Sequence, residues 1–316
     1  MDNLNSDLIL YILTFLSDKN KLTLFSLSKY FDSLIIYCIF DDFHNYNKIL
    51  QQRYFDNFSS INNYRTGILP KKINRICFSY NFNQEIICLP DSITYIKFDK
   101  GFYQNLKGKL PNNLLVLKLN GQYNQCLQYC LPINLKTLKI TNRNITNYVL
   151  LFGSLPTSLT ELNVKLFEEH FNIEKILPKN LIKLKISYFF VCQINNIKFP
   201  NNLISLDYNK PIKFFLPKNL IILTLHYYNF AHFESKYLPL SLKKIIVVIK
   251  KILVDVFESR LINFVNNIPN YVQTIEFNFH KNCYDLSLIE KKNFKLSSQI
   301  KLDRKNKNIF TYVKQN

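Results

Sequence analysis

Lys97, Lys118 and Lys139 recur at intervals of 21 residues, each seven positions after a proline. Equal spacing from a fixed marker places like residues at equivalent points of successive structural units. Three ammonium groups stacked in this way repel one another and call for solvent, counterions or an anionic ligand. The same position reads Cys77, Asn163, Lys185, Asp207, Thr224, Ile246 and Glu276 in the other copies, and the position two further on adds Asp99, Asn120 and Thr141. The chemistry on offer is therefore anion binding on an exposed surface, with Lys97, Lys118, Lys139, Lys185, Asp99 and Asn120 as the candidate target-binding face.

Other chemistries find little support in the residues. The five histidines (His44, His170, His226, His232, His280) share no repeat position and form no HExxH pair. Seven cysteines, at 38, 77, 88, 126, 130, 192 and 283, make no paired CxxC spacing, which points to free thiols in a reducing compartment. With only five glycines, the chain has no GxGxxG, GxxxxGK[ST] or GxSxG, so neither a phosphate-cradling loop nor a nucleophile elbow is expected. No catalytic residue, metal or cofactor is expected, and no enzyme.

The markers themselves define the architecture. Leu-Pro occurs at 69–70, 89–90, 110–111, 131–132, 155–156, 177–178, 216–217 and 238–239, with Phe199-Pro200 and Ile268-Pro269 continuing the series. Ten of the eleven prolines belong to it. Most steps are 20–24 residues, a solenoid period. Aligned on proline, apolar residues fill the third, sixth and eighth following positions in ten copies, from Ile73, Ile76 and Phe78 to Val272, Ile275 and Phe277. Positions six and eight differ by two and so share one face of a strand. Proline cannot donate to a ladder and belongs at the corner before it. Asn or Ser at the second position (Asn113, Asn180, Asn202, Asn219, Ser92, Ser241) suits a local hydrogen bond to the turn. The expected fold is α/β: a parallel β solenoid of about ten units over 66–279. The run 250–267 has helical spacing, and 280–316 is expected to form a cap and tail.

Residues 1–45 follow another pattern, with 46–65 as a connecting segment. Leu4, Leu8, Ile12, Leu13 and Leu16 fall at helical spacing behind a cap at Asn5 or Ser6, and Ser17–Asn20 makes a polar break. A second apolar stretch carries Leu22, Phe25, Leu27, Phe31, Leu34, Ile35 and Cys38. Some 40 residues bury little on their own, so the module must dock onto something.

The segment LNSDLILYILTFLSDKNKLTLFSLSKYFDSLI resembles an F-box, through Leu4, Asp7, Leu8, Ile12, Leu16, Leu22, Leu27, Ser28, Lys29, Phe31 and Leu34. Asn5 stands where that family usually has proline, and Phe31 where tryptophan is common. The repeats resemble FNIP repeats, relatives of leucine-rich repeats, with the Phe-Asn element at Phe82-Asn83 and Phe171-Asn172 and a variant at Tyr123-Asn124. The combination resembles the F-box and FNIP repeat-containing proteins of giant amoeba viruses. The resemblance implies that Leu4, Leu8, Ile12, Leu16, Leu27, Phe31 and Leu34 contact a Skp1-type adaptor, and through it a cullin. It implies a solenoid that recruits a protein target to an SCF-type E3 ubiquitin ligase.

Two alternatives stay open on the residues alone. One is a binding or decoy solenoid without ligase coupling. The other is a nucleic-acid-binding protein, suggested by the formal charge of +19 but disfavoured because the lysine column is not interleaved with aromatics. An ordinary solvated strand face would also carry such lysines. No basic segment precedes the apolar run at 8–16 and no small-residue cleavage site follows it, so a signal peptide is not expected, and no apolar stretch is long enough to cross a bilayer. The expected location is the host cell cytoplasm, or alternatively the nucleus, with no membrane partner.

Overall fold

A computed structural model describes residues 5–121, 123–141, 150, 154–166, 173–188, 198–226, 233–249, 263–264, 266–279, 300–302 and 309–313. The chain divides into two compact units, Met1–Asn142 and Arg143–Asn316.

The first unit opens with short helices α1 (Ser6–Leu13), α2 (Asp18–Phe25) and α3 (Lys29–Ser33), followed by a 3-10 turn at Leu34–Tyr37. Each α-helix starts on a side-chain cap. Asn5 accepts from the Asp7 amide, Ser17 from Asn20 and Ser28 from Phe31. Because Ser17 caps it, α2 begins inside the polar break rather than after it. Strand β1 (His44–Asn45), helix α4 (Tyr46–Ile49) and β2 (Ser60–Tyr64) come next, then β3 (Arg75–Phe78), β4 (Tyr95–Phe98), β5 (Val116–Leu119) and β6 (Thr137–Ile140). All six strands pair in parallel, each with the next in sequence. The parallel run thus starts ahead of the first Leu-Pro, at β1 and β2.

The second unit repeats the scheme with β7 (Glu161–Leu166), β8 (Lys183–Tyr188), β9 (Ser205–Tyr208), β10 (Ile222–His226), β11 (Lys244–Ile249) and β12 (Thr274–Phe279). These are parallel in sequence order. A hairpin of β13 (Ile300–Leu302) and β14 (Ile309–Val313) then closes the ladder, β14 lying antiparallel to β12. The helix expected over 250–267 falls largely outside the described residues, as do 280–299 of the expected tail.

Both units are parallel β solenoids, and the proline phase explains them. In all ten copies the amide three residues after the proline donates to the proline carbonyl at 3.1–3.2 Å, closing a tight turn that feeds the strand. The apolar residues at the third, sixth and eighth positions are buried in every copy. Each fully buried Leu or Ile contributes about 1.5–3 kcal/mol. In the first unit the strand residues Phe78 and Phe98 continue the core as stacked rings with Phe102 and Tyr123 from the segments after β4 and β5, with centroids 4.6, 3.9 and 6.0 Å apart along the series.

The turn asparagines act differently from expectation. Asn113, Asn180, Asn202 and Asn219 donate to the carbonyls of Asp91, Thr157, Lys179 and Asn201, one unit back. The backbone already closes the local turn, so the side-chain amide is left to bridge neighbouring coils.

Candidate functional site

The N-terminal module buries one face of α1 through Ile9 and Leu13. Its other face remains apolar and exposed: Leu8 is 47%, Ile12 43% and Phe15 72% accessible. Tyr11 extends the patch and meets Phe15 edge-on at 5.1 Å. Leu27, 64% accessible, is exposed on the turn after α2, and Leu16 is half-buried. Phe31 and Leu34 are both only 6% accessible. Their place is inside the module, where they hold its elements together rather than lining its surface. Leu4 lies outside the described residues.

Beside the patch is a recess of 410 Å³ lined by Leu10, Tyr11, Leu13, Lys21, Tyr37 and Ile39, among others. Lys21 forms part of its floor through a buried polar knot. Its ammonium donates to Asp18 at 3.0 Å and to the Ile39 carbonyl at 2.7 Å. The other Asp18 oxygen takes the Asp42 amide at 2.7 Å and lies 2.8 Å from the His44 ring. Burial pushes the Asp18 carboxyl up, but the hydrogen bonds from His44, Lys21 and the Asp42 and Asp41 amides outweigh it and hold the pKa below its usual value. The knot ties α2 to the segment entering β1, which fixes the module against the first strands.

The second surface is the outward face of β3–β6. Cys77 pairs in register with Lys97, Lys97 with Lys118, and Lys118 with Lys139. The column read from the sequence is thus real, with one strand spacing of about 4.8 Å between neighbours. Lys97 is 3.6 Å from Asp99, the acid paired with this column among the described residues. Asn120 is engaged by the Thr141 hydroxyl at 2.7 Å. Burial raises the Cys77 thiol pKa against the pull of Lys97, Lys118 and Arg75, so Cys77 presents a neutral thiol to the face.

Cations and rings do interleave here, contrary to expectation. The Lys118 ammonium lies 5.0 Å from the Tyr95 ring centre, and the Arg75 guanidinium 4.7 Å from that of Phe43. Phe43 in turn meets Tyr95 at 5.7 Å. Arg75 is pinned by the Ser60 hydroxyl at 2.6 Å and by the Asp41 carbonyl. Arg75 and Tyr95 stand at the fifth position after proline, a column that carries no uniform residue type. Phe43 comes from the N-terminal segment, and no repeat alignment can bring it there.

Lys185 is set apart from the other three lysines. It belongs to the second unit, where it ion-pairs with Asp207, and Asp207 also lies 3.3 Å from His226. Burial raises the Asp207 pKa, but His226 and Lys185 outweigh it, and the carboxyl titrates below its usual range. Further along, Lys244 pairs with Glu276 at 2.5 Å. Among the described residues, Lys185 and Lys244 of the second unit are thus each paired with an acid, whereas in the first unit Lys97 alone of the column has such a partner. Among the described residues no group of three or more His, Cys, Asp or Glu side chains could hold a metal, and no helix is long and apolar enough to cross a membrane.

Fold and surface together define a repeat solenoid, a class that works by presenting an extended face to binding partners. The FNIP Repeat family matches residues 63–101 and 102–143, each match spanning two Leu-Pro units. Among solved structures, one described as CroV588, a novel circular LRR protein, is 26% identical with a TM-score of 0.47. The match covers 71% of this chain and 37% of that one, so the chain spans well under half the length of its structural neighbour. No curated protein matches the chain.

Proposed function

We propose that this protein is the substrate-recognition subunit of an SCF-type E3 ubiquitin ligase, encoded by a giant amoeba virus and working in the host cell cytoplasm. In this reading the α1 patch docks a Skp1-type adaptor and thereby a cullin, while the basic face of β3–β6 holds a target protein through an acidic segment. The chain does no covalent chemistry. It supplies proximity and orientation between the target and a ubiquitin-charged enzyme.

The observation that carries the proposal is the exposed set Leu8, Tyr11 and Ile12 on a helix that already has a buried face in Ile9 and Leu13, with exposed Phe15 on the turn that follows it. A short module that leaves four large apolar side chains in water on one helix and its exit turn is built for a partner. The recess beside Tyr11 offers room for one anchoring side chain. Leu8 and Ile12 of this set also belong to the F-box resemblance, which suggests the partner's identity.

The test is capture of a Skp1-type adaptor and cullin from host cytosol by the full chain, compared with Leu8→Asp/Ile12→Asp. Both substituted positions are exposed, so the variant keeps its fold, checked by circular dichroism and thermal unfolding. The expected result is adaptor captured by wild type and lost in the variant. A wild-type chain that fails to bind purified adaptor at micromolar concentration rejects ligase coupling and leaves a target-binding solenoid.

A further inference from the structure

We propose that the basic face of the first unit takes its acidic ligand as an α-helix laid across the strands, with carboxylates at positions i, i+4 and i+7. This rests on the proposal above that the face binds an acidic protein segment, and adds the form in which it does so.

Lys97, Lys118 and Lys139 are consecutive register partners, so the outer two lie about 10 Å apart across the strands. On an α-helix, residues i and i+7 are about 10.5 Å apart along the axis, and i and i+4 share a face. An extended chain presents side chains to one face every ~6.8 Å, and its third such group lies ~13.5 Å from the first. The helix matches the column within about 1 Å; the strand overshoots by ~3–4 Å. Two of the ammonium groups are not free to search for a poor match, because Lys118 rests on Tyr95 and Lys97 is drawn toward Asp99.

The amides and carbonyls of β3–β6 are used in the ladder between neighbouring strands, so the face offers an incoming chain only side chains. An extended peptide lying there would find no backbone partners, whereas a helix arrives with its own already paired.

The margins of the column refine the ligand. Toward the fifth-position side, the lysines are flanked by Tyr95 and Val116, both half-buried. Beyond the lysine end lie Cys77 and Phe43, with Arg75 flat against the Phe43 ring. The opposite margin is polar, with Asp99, Asn120 and Thr141. The matching helix is amphipathic, with an acidic stripe over the lysines and an apolar stripe beside it over Tyr95 and Val116. Asp99 competes with the ligand for Lys97, which makes it a limiter of affinity.

The experiment is fluorescence anisotropy on the full chain with four labelled probes. Three are peptides of equal length, number of Glu residues and net charge: a lactam-locked helix with Glu at i, i+4 and i+7, a locked helix with the Glu residues spread around it, and a proline-interrupted extended form. The fourth is oligo-uridine. The expected result is that the striped helix binds about tenfold more tightly than either other peptide. Its binding is expected to vanish in Lys97→Gln/Lys118→Gln/Lys139→Gln and to strengthen severalfold in Asp99→Asn. Equal binding of all three peptides, lysine-dependent, overturns the helix and leaves the acidic-segment reading standing. Loss of all peptide binding above the triple-Gln background overturns both. Preference for oligo-uridine overturns both and makes the face a nucleic-acid site. The Asp99→Asn gain keeps the test decisive if the triple variant folds poorly.

Discussion

Lys118 and Lys139 are direct register partners on adjacent parallel strands, two like charges one strand apart with no acid between them. Folding alone gives no reason for the pair, since like charges directly opposite are destabilising by some tenths of a kcal/mol each. Lys139→Gln, which leaves the Lys118–Tyr95 contact in place, is therefore expected to leave the thermal midpoint unchanged or raise it slightly at low salt, with the gain fading as salt screens the repulsion. The same substitution should weaken binding of an acidic ligand. Melting curves at two ionic strengths beside an anisotropy titration check both. A Lys139→Gln protein less stable than wild type at low salt would show that the column is not under electrostatic strain.

The Asp18–Lys21 pair is buried, and removing one partner leaves the other charge uncompensated. Asp18→Asn is expected to cost about 3–5 kcal/mol in the N-terminal module, whereas Asp18→Asn with Lys21→Met should recover much of it. Asp18 also sets an acid limit. Its folded pKa is held below the unfolded value of about 3.9, so its contribution is fully present above that pH and drains away as pH falls through the lower folded value. Denaturation followed between pH 7 and pH 3 should show a smaller loss in the double variant than in wild type.

What the sequence made legible follows the proline phase. Thirty core positions could be named because the third, sixth and eighth residues after each proline are fixed by one local turn and a two-residue strand period, as in Leu135, Leu138 and Ile140. The lysine column was legible for the same reason. What escaped is whatever joins distant segments. Phe43 reaches Arg75 and Tyr95 through packing of the N-terminal module on the first strands, and Asp18 finds His44 across 26 residues. Lys185 carried the same repeat position as Lys118, but its neighbour Asp207 neutralises it, and an unaligned column of residue types does not reveal pairing. Phe31 and Leu34 fitted the same helical pattern as Leu8 and Ile12, and periodicity could not tell the inward stripe from the outward one.

The interunit asparagine bonds give a graded prediction. Asn202 donates to Lys179 at 3.2 Å and stands at an exposed corner, so water can replace part of the bond. Asn202→Ala should cost about 0.5–1.5 kcal/mol, the worth of one such hydrogen bond. Leu206→Ala in the same unit removes a fully buried side chain and should cost about 2–5 kcal/mol. Urea unfolding of the two variants checks the order, and an Asn202→Ala loss as large as that of Leu206→Ala would mean that the asparagines, not the leucine columns, carry the stacking.

Gly108 and Gly121 separate backbone strain from steric exclusion. Both adopt positive φ, +67° and +84°. At Gly108 an added methyl meets nothing within 4 Å, so Gly108→Ala bears only the left-handed penalty of about 1–2 kcal/mol. At Gly121 the methyl would stand 2.2 Å from the Cα of Lys100, in the backbone of the preceding coil, and a backbone cannot rotate away as a side chain can. The loop after β5 must then lift from the loop after β4, and Lys118 and Asn120 sit just ahead of that loop. Gly121→Ala is expected to destabilise the first unit by more than Gly108→Ala and to weaken acidic-peptide binding as well, whereas Gly108→Ala should leave binding at the wild-type level. Urea midpoints and anisotropy titrations on both variants decide it: equal losses would mean that the coil-to-coil contact at Gly121 relaxes freely and does not position the lysine column.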